Sequence, residues 1–449
     1  MRIEDLSAKS VCIIGFGREG QAMAEALEKH APRCRITVAD KNQEPFGFSQ
    51  GESRIKNQEY EFQLGENYLD KLERFDVLIK SPGIPPHSQL KAQSTKLTSP
   101  TQIFFDTIKD SGATVIGITG SKGKSTTSSL IHAILKKAGK ESYLIGNIGM
   151  PAIGFIDKAK PNTFFVHEMS SYQLMDLNCS PQIAVITAFF PEHLDYHGSL
   201  DNYFLAKKNI TLFQNEDCSV FFNTKSEECQ KIAAHGKGKK IPFSDDDSPV
   251  TIEETKLLGR HNLSNIAGAY KVAMSIGIPE KTAIEAISEF EGLPHRLQFI
   301  GEKDGCAWID DSISTTPESA IAALEALGNR VRIIILGGQD RGYDFSLLAE
   351  RISKSKIETV ILLPDSGRTI RQSIEKAGIK VNCVEVETME EAVSTAKKMS
   401  QSSKLIAHSF PIVLLSPASP SYGHFKNFEE RGDQFKNTAL SVITHELAE

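Results

Sequence analysis

The sequence lacks the features that mark a disulfide scaffold, a zinc ribbon, a membrane protein or a nucleic-acid binder. Its seven cysteines (Cys12, Cys34, Cys179, Cys218, Cys229, Cys306, Cys383) are odd in number, scattered, and never spaced C-x-x-C. That pattern excludes a zinc ribbon or redox pair and reads as reduced thiols in a cytosol. No apolar run reaches the roughly 18 residues needed to span a bilayer. The opening Met1-Arg-Ile-Glu-Asp-Leu6 has neither the basic stretch nor the apolar stretch of a signal peptide. A cytoplasmic protein without membrane insertion is expected. The formal charge of -6 offers no surplus of Lys and Arg to neutralise a duplex, so nucleic acid is not an expected partner. Repeats and low-complexity tracts are absent too.

What is present is apolar material for several cores: 40% hydrophobic and 24% charged residues in 449. At roughly 150 residues per domain this length predicts three domains. Short apolar runs at Val11 to Gly15, Arg35 to Ala39 and Asp76 to Ile79 alternate with loops and a helical stretch. Further runs follow at Thr114 to Thr119, Thr163 to Val166, Ile183 to Thr187 and Ser219 to Phe222. After Phe290 to Arg296, where a hinge is expected, come Ala307 to Ile309, Val331 to Leu336, Thr359 to Leu363 and Ile412 to Leu415. Strands alternating with helices predict mainly parallel sheets and an α/β fold throughout. The boundaries fall at 1–99, 100–292 and 293–449.

Two glycine-rich loops stand between a strand and a helix. The stronger signal is Gly120-Ser121-Lys122-Gly123-Lys124-Ser125-Thr126, which departs from the strict phosphate-loop pattern because Ile118 occupies the first glycine position. Its backbone N–H groups and helix start suit phosphate oxygens, Lys124 can neutralise β and γ charge, and Ser125 can reach Mg²⁺. A nucleoside triphosphate site is expected. The other loop, Gly15-Phe16-Gly17-Arg-Glu-Gly20 followed by Asp40, matches a dinucleotide fingerprint and by itself suggests a nicotinamide-dependent dehydrogenase.

Several motifs in one order are similar to the Mur ligase family. They are Ile118-Thr-Gly-Ser-Lys-Gly-Lys-Ser-Thr126, Gly146-Asn147-Ile-Gly149, Glu168-Met-Ser-Ser-Tyr-Gln-Leu174 and Glu192-His193-Leu-Asp195. Gly292-Leu-Pro-His-Arg296 and Ser416-Pro-Ala418, then Phe425-Lys-Asn-Phe-Glu-Glu-Arg-Gly432, complete the set. The likeness covers nearly the whole chain. It implies a Rossmann-like N-terminal domain that holds the UDP of the substrate, a central ATPase domain of the phosphate-loop type, and a Rossmann-like C-terminal domain that receives the amino acid. Gly15, Phe16, Gly17, Asp40, Lys41, Ser81 and Asn147 are then the UDP-substrate positions. The fingerprint need not bind a second cofactor.

The resemblance also assigns chemistry to residues that are otherwise ordinary. Glu168 reads equally well as a strand-end charge or a Mg²⁺ ligand, and the family places a metal there. His193, a lone histidine in a turn, lines a second metal site by resemblance. Lys207, half of the Lys207-Lys208 pair, matches the family's carbamylated lysine, an anion that helps to hold Mg²⁺. Asn265, Arg296 and Asp311 match ATP-contacting positions, although Asp311 also suits a strand-end cap. Thr315, Arg341, Ser421, Tyr422 and Phe428 match positions that receive glutamate, with Arg341 offering a two-pronged fork for a carboxylate. Arg341 and Ile313 stand where the family pattern has lysines, and Tyr422 where it has an aliphatic residue.

The activity implied is ligation of glutamate to UDP-N-acetylmuramoyl-L-alanine, a peptidoglycan precursor, by a monomer using ATP and two Mg²⁺ ions. Lys124, His193 and Lys207 are the expected catalytic residues. The expected course runs through an acyl phosphate, with the last domain closing over ATP. D-glutamate is the expected substrate and L-glutamate is the alternative. From other classes, an ATP-binding module without turnover and the dehydrogenase remain to be separated.

Overall fold

The computed structural model describes residues 1–43, 60–400 and 410–441. Its three sheets are parallel except for one edge pair. The first contains β1 (Ser10–Ile14), β2 (Arg35–Asp40), β3 (Glu61–Leu64), β4 (Val77–Lys80) and β5 (Leu97–Thr98), in the order β3-β2-β1-β4-β5. The second contains β6 (Thr114–Thr119), β7 (Ser142–Gly146), β8 (Phe164–Glu168), β9 (Ile183–Ile186), β10 (Ser219–Asn223) and β11 (Lys239–Phe243), ordered β11-β10-β9-β6-β8-β7. The third contains β12 (Gln298–Lys303), β13 (Cys306–Asp310), β14 (Val331–Gly338), β15 (Thr359–Asp365), β16 (Asn382–Glu385) and β17 (Ile412–Leu415). Its order is β12-β13-β17-β14-β15-β16, and only β12 and β13 pair antiparallel.

The inner strands are continuous apolar runs because helices cover both faces. Val77–Lys80 and Ile412–Leu415, for example, are buried at every residue. The α/β prediction holds, and the expected apolar runs are these inner strands. Glycine-rich turns at their C-terminal ends then leave backbone and side chains at the top of each sheet, where open α/β sheets take ligands.

Two compact units result: Met1–Thr251 with Leu263–Ser288, and Ile252–Asn262 with Glu289–Glu449. The first unit contains the first two sheets. Within it, Gln173 donates to Glu19 (2.9 Å) and the buried Lys80 pairs with Asp176 (2.8 Å). Tyr196 donates its hydroxyl to the carbonyls of Pro82 and Ile84, both at 2.8 Å.

Candidate active site

In the first unit, three neighbouring strands of the second sheet deliver one cluster. β6 ends in the phosphate loop, β8 ends in Glu168, and β9 leads to Thr187 and Ala188. The loop turns through Gly120 (φ +151) and Gly123 (φ +86), conformations that L side chains rarely adopt. Gly123 also faces the Asn265 side chain so closely that a Cβ would lie 2.3 Å from its Oδ1. Thr127 donates to the same oxygen at 3.3 Å, so the predicted nucleotide residue Asn265 packs on the loop.

The rest of the loop is tied down by its own neighbours. Ser121 N donates to Ala188 O (2.7 Å), and its hydroxyl meets Phe190 O and the Tyr203 hydroxyl, both at 2.9 Å. Thr187 donates to Lys122 O at 2.6 Å, and Lys122 pairs with Glu192 at 2.8 Å. Lys124, the first residue of the helix Lys124–Lys137, folds back to donate to Gly120 O (2.8 Å) and Ser121 O (2.9 Å). Ser125 and Thr126 follow in the first turn, where backbone N–H groups lack helical acceptors.

Lys207 lies under this loop. It is 1% exposed, donates to Gly120 O at 2.9 Å, and stands 4.7 Å above the Tyr203 ring. Burial pushes its pKa well below the ordinary 10.5, and the nearby Lys124 cation pushes it further down. The same burial and neighbouring cation favour the uncharged, nucleophilic form of the amine over the ammonium. Tyr203 was not among the predicted residues, although its i, i+4 spacing from Lys207 on the helix Leu200–Leu212 puts the two on one face.

Glu168 is fully buried at the end of β8. Its Oε1 accepts from Asn147 Nδ2 (2.8 Å), whereas its Oε2 is buried without a hydrogen-bond partner. An ionised oxygen in that condition is costly unless a cation meets it, which suits Mg²⁺. Asn147, expected at the UDP substrate, lies against Glu168 through this hydrogen bond. His193 is exposed, left-handed (φ +57), and packs its ring 5.1 Å from Tyr172.

The first sheet's loop is built from the same parts without such a cluster. Gly15 (φ +87) accepts the Ser81 hydroxyl on its carbonyl at 2.6 Å. Both Asp40 oxygens accept backbone N–H groups, Oδ2 from Phe16 (2.7 Å) and Oδ1 from Asn42 (2.8 Å). Gly17 caps the helix Arg18–His30, and Lys41 pairs with Glu66 at 3.7 Å on the surface.

In the second unit, Asp311 is buried and accepts from Leu297 N (3.1 Å) and Ser416 Oγ (2.7 Å). Burial raises its pKa to about 6. Arg296 is exposed, flanked by the left-handed His295 and Leu297, and its charge opposes the rise at Asp311. Thr315 immediately precedes Thr316, which caps the helix Pro317–Leu327. Arg341 donates to Gln339 (3.1 Å) and sits 5.9 Å from the ring of Tyr422. Ser421 is buried beside the exposed Tyr422. Phe428 opens the helix Phe428–Leu440, where its ring lies 6.2 Å from His295. Arg431, missed by the sequence reading, is 0% exposed and joins Ser312 to Ser419 through three hydrogen bonds.

Comparison with known proteins places this arrangement. Residues 118–254 match the Mur ligase middle domain, and residues 295–409 match the Mur ligase, glutamate ligase domain. The chain is 32% identical to a UDP-N-acetylmuramoylalanine--D-glutamate ligase of Clostridium kluyveri, over 96% of each chain. It is also 32% identical to a UDP-N-acetylmuramoyl-L-alanine--L-glutamate ligase of Salinispora tropica, over 97% of this chain and 98% of the other. A solved structure, the UDP-N-acetylmuramate-alanine ligase MurC of Thermotoga maritima, is similar in fold. Its TM-score is 0.58 at 18% identity, covering 95% of this chain and 98% of that one. The chain belongs to the Mur ligases, a family of ATP-dependent enzymes that form amide bonds.

Proposed function

We propose that the protein ligates D-glutamate to UDP-N-acetylmuramoyl-L-alanine through an acyl phosphate. The observation that carries this reading is full-length similarity to a D-glutamate ligase, joined to a phosphate loop backed by Glu168 and Lys207. Residues 1–99 would hold the UDP substrate, 100–292 ATP, and 293–449 the amino acid. Gly15, Phe16 and Gly17 offer the backbone and helix start for a diphosphate, while Asp40 and Ser81 brace that turn.

In this scheme the alanyl carboxylate attacks the γ-phosphorus of ATP, a P–O bond forms, and ADP leaves. Lys124 exchanges its two loop carbonyls for phosphate oxygens and so screens the repulsion between two anions. The amine of glutamate then attacks the acyl carbonyl, loses a proton, and expels phosphate. Asn265, Arg296 and Asp311 are assigned to ATP, and Thr315, Arg341, Ser421, Tyr422 and Phe428 to glutamate, on their match to the family pattern.

Glu168 Oε2 and Ser125 are the groups suited to Mg²⁺, with phosphate oxygens and water completing an oxygen shell. Bound there, Mg²⁺ neutralises charge on the phosphates. His193 is assigned to a second ion by resemblance alone. In its uncharged form Lys207 can attack carbon dioxide, forming an N–C bond and releasing a proton to give a carbamate. Its burial and lowered pKa support that reading.

The deciding experiment is phosphate release from ATP with UDP-N-acetylmuramoyl-L-alanine and either D-glutamate, L-glutamate or no amino acid. Release with D-glutamate alone is expected. Release with L-glutamate alone would move the assignment to the activity named for the Salinispora relative, and no release with either would remove the ligase reading.

A further inference from the structure

The helix Ser366–Lys376 starts in an unusual way. Asp365, the last residue of β15, has φ +65 and ψ -93, a strained conformation for a residue with a side chain. From this start three contacts reach two separate loops of the third sheet. Thr369 donates to Asp340 at 2.8 Å, next to Arg341. Ser366 and Ser419, both fully buried, share a hydroxyl contact of 2.7 Å. Asp365 meets His424 Nε2 at 3.2 Å. Ser421 and Tyr422 lie between those last two anchors.

The loops are joined to each other as well. Gln339 N donates to Pro420 O at 2.8 Å, and the Arg341 guanidinium lies 5.9 Å from the Tyr422 ring. Asp340 is held on both oxygens, since its Oδ1 accepts from Gly342 N at 2.8 Å. A short, strained turn therefore fixes both sides of the pair Arg341 and Tyr422.

We infer that Thr369, with the Asp365–His424 contact, is a positioning residue for the amino-acid substrate, fixing the spacing between Arg341 and Tyr422. This rests on the reading that those two side chains receive glutamate. A carboxylate gripped by a planar guanidinium tolerates little displacement, so loosening the loop weakens binding without touching the phosphate chemistry. The strain at Asp365 is then maintained for function, as such outliers commonly are.

The test uses the full chain and steady-state phosphate release, with KM measured separately for D-glutamate, ATP and UDP-N-acetylmuramoyl-L-alanine. Thr369→Val, which keeps the shape and removes the donor, should raise KM for D-glutamate about tenfold. The other two KM values and the melting temperature should stay near those of the parent, and Thr369→Ser should restore the parent KM. His424→Gln, at a partly exposed site, gives the same pattern if the valine variant folds poorly. Arg341→Met tests the underlying reading. If it raises KM for D-glutamate while Thr369→Val and His424→Gln do not, the inference fails and the reading stands. If Arg341→Met leaves that KM unchanged, the reading fails and the inference with it. An equal rise in all three KM values would mark Thr369 as merely structural and also overturn the inference.

Discussion

The two glycine-rich loops of the first unit start alike and end in different chemistry. Each follows a parallel strand, turns through a left-handed glycine, and delivers a helix whose first residue is a cation, Arg18 in one and Lys124 in the other. Arg18 turns away to the carbonyl of Gly149, whereas Lys124 folds back onto its own loop. Around the first loop, Asp40 and Ser81 spend their hydrogen bonds on the turn itself. Beneath the second lie a buried lysine whose pKa is driven down by burial and a carboxylate oxygen with no donor. A loop whose polar neighbours are mutually satisfied can bind an anion; one backed by a buried amine and an oxygen without a donor can also organise a reaction.

The largest test of that contrast exchanges the two cations for alanine. Lys124→Ala should lower kcat for phosphate release by about a hundred- to thousandfold, the scale for one lost electrostatic contact in the transition state. Arg18→Ala, whose guanidinium serves packing between the two sheets, should leave kcat within about threefold. Comparable losses from both variants would erase the distinction between a binding loop and a reacting one.

A buried carboxylate outside both loops gives a control for Glu168. Asp311 has partners on both oxygens, yet burial raises its pKa from the usual 3.8 to about 6. Between those values the folded chain keeps a proton that the unfolded chain releases, so stability falls as pH rises from about 4 to about 6. At about 1.36 kcal/mol per unit the full loss is about 3 kcal/mol. Asp311→Asn has no such titration. Its melting temperature relative to the parent should therefore climb between pH 4 and pH 7, and a flat difference would mean that Asp311 is not burdened by burial.

Within the first loop, backbone closeness separates two of its glycines on a smaller scale. A Cβ on Gly20 would lie 2.2 Å from Gly15 O, while one on Gly17 meets nothing within 4 Å. Gly20→Ala should cost about 2 kcal/mol by forcing helix and turn apart. Gly17→Ala, at an ordinary φ of -74, should change stability by less than about 0.5 kcal/mol. Chemical denaturation of both variants checks the pair.

The inner strands of all three sheets were legible in the sequence because burial on both faces makes them unbroken apolar runs. The strands that escaped notice are β3, β5, β7, β11, β12 and β16, which are the two edges of each sheet. Edge strands here are short or half-exposed, as in Glu61–Leu64 and Asn382–Glu385, and carry no such signal. The sites divide in a similar way. Gly120 to Thr126 is local, so its loop could be read from spacing. Partners brought from afar could not: Tyr203 under Ser121 and Arg431 between Ser312 and Ser419 depend on tertiary packing.

Asn147 offers the finest test, because it touches the feature that most separates the two loops. Its amide holds Glu168 Oε1 at 2.8 Å, which leaves Oε2 as the oxygen without a donor. If Mg²⁺ sits on Oε2, Asn147 fixes the orientation of a metal ligand from behind, a role whose loss commonly weakens metal affinity about tenfold or more. Asn147→Ala should then raise the Mg²⁺ concentration for half-maximal phosphate release about tenfold, with near-parent kcat at saturating Mg²⁺. If Asn147 instead contacts the UDP substrate, as its sequence context suggested, KM for UDP-N-acetylmuramoyl-L-alanine will rise and the Mg²⁺ requirement will not. The two titrations thus decide whether the Gly146-Asn147 turn serves the first loop's ligand or the second loop's metal.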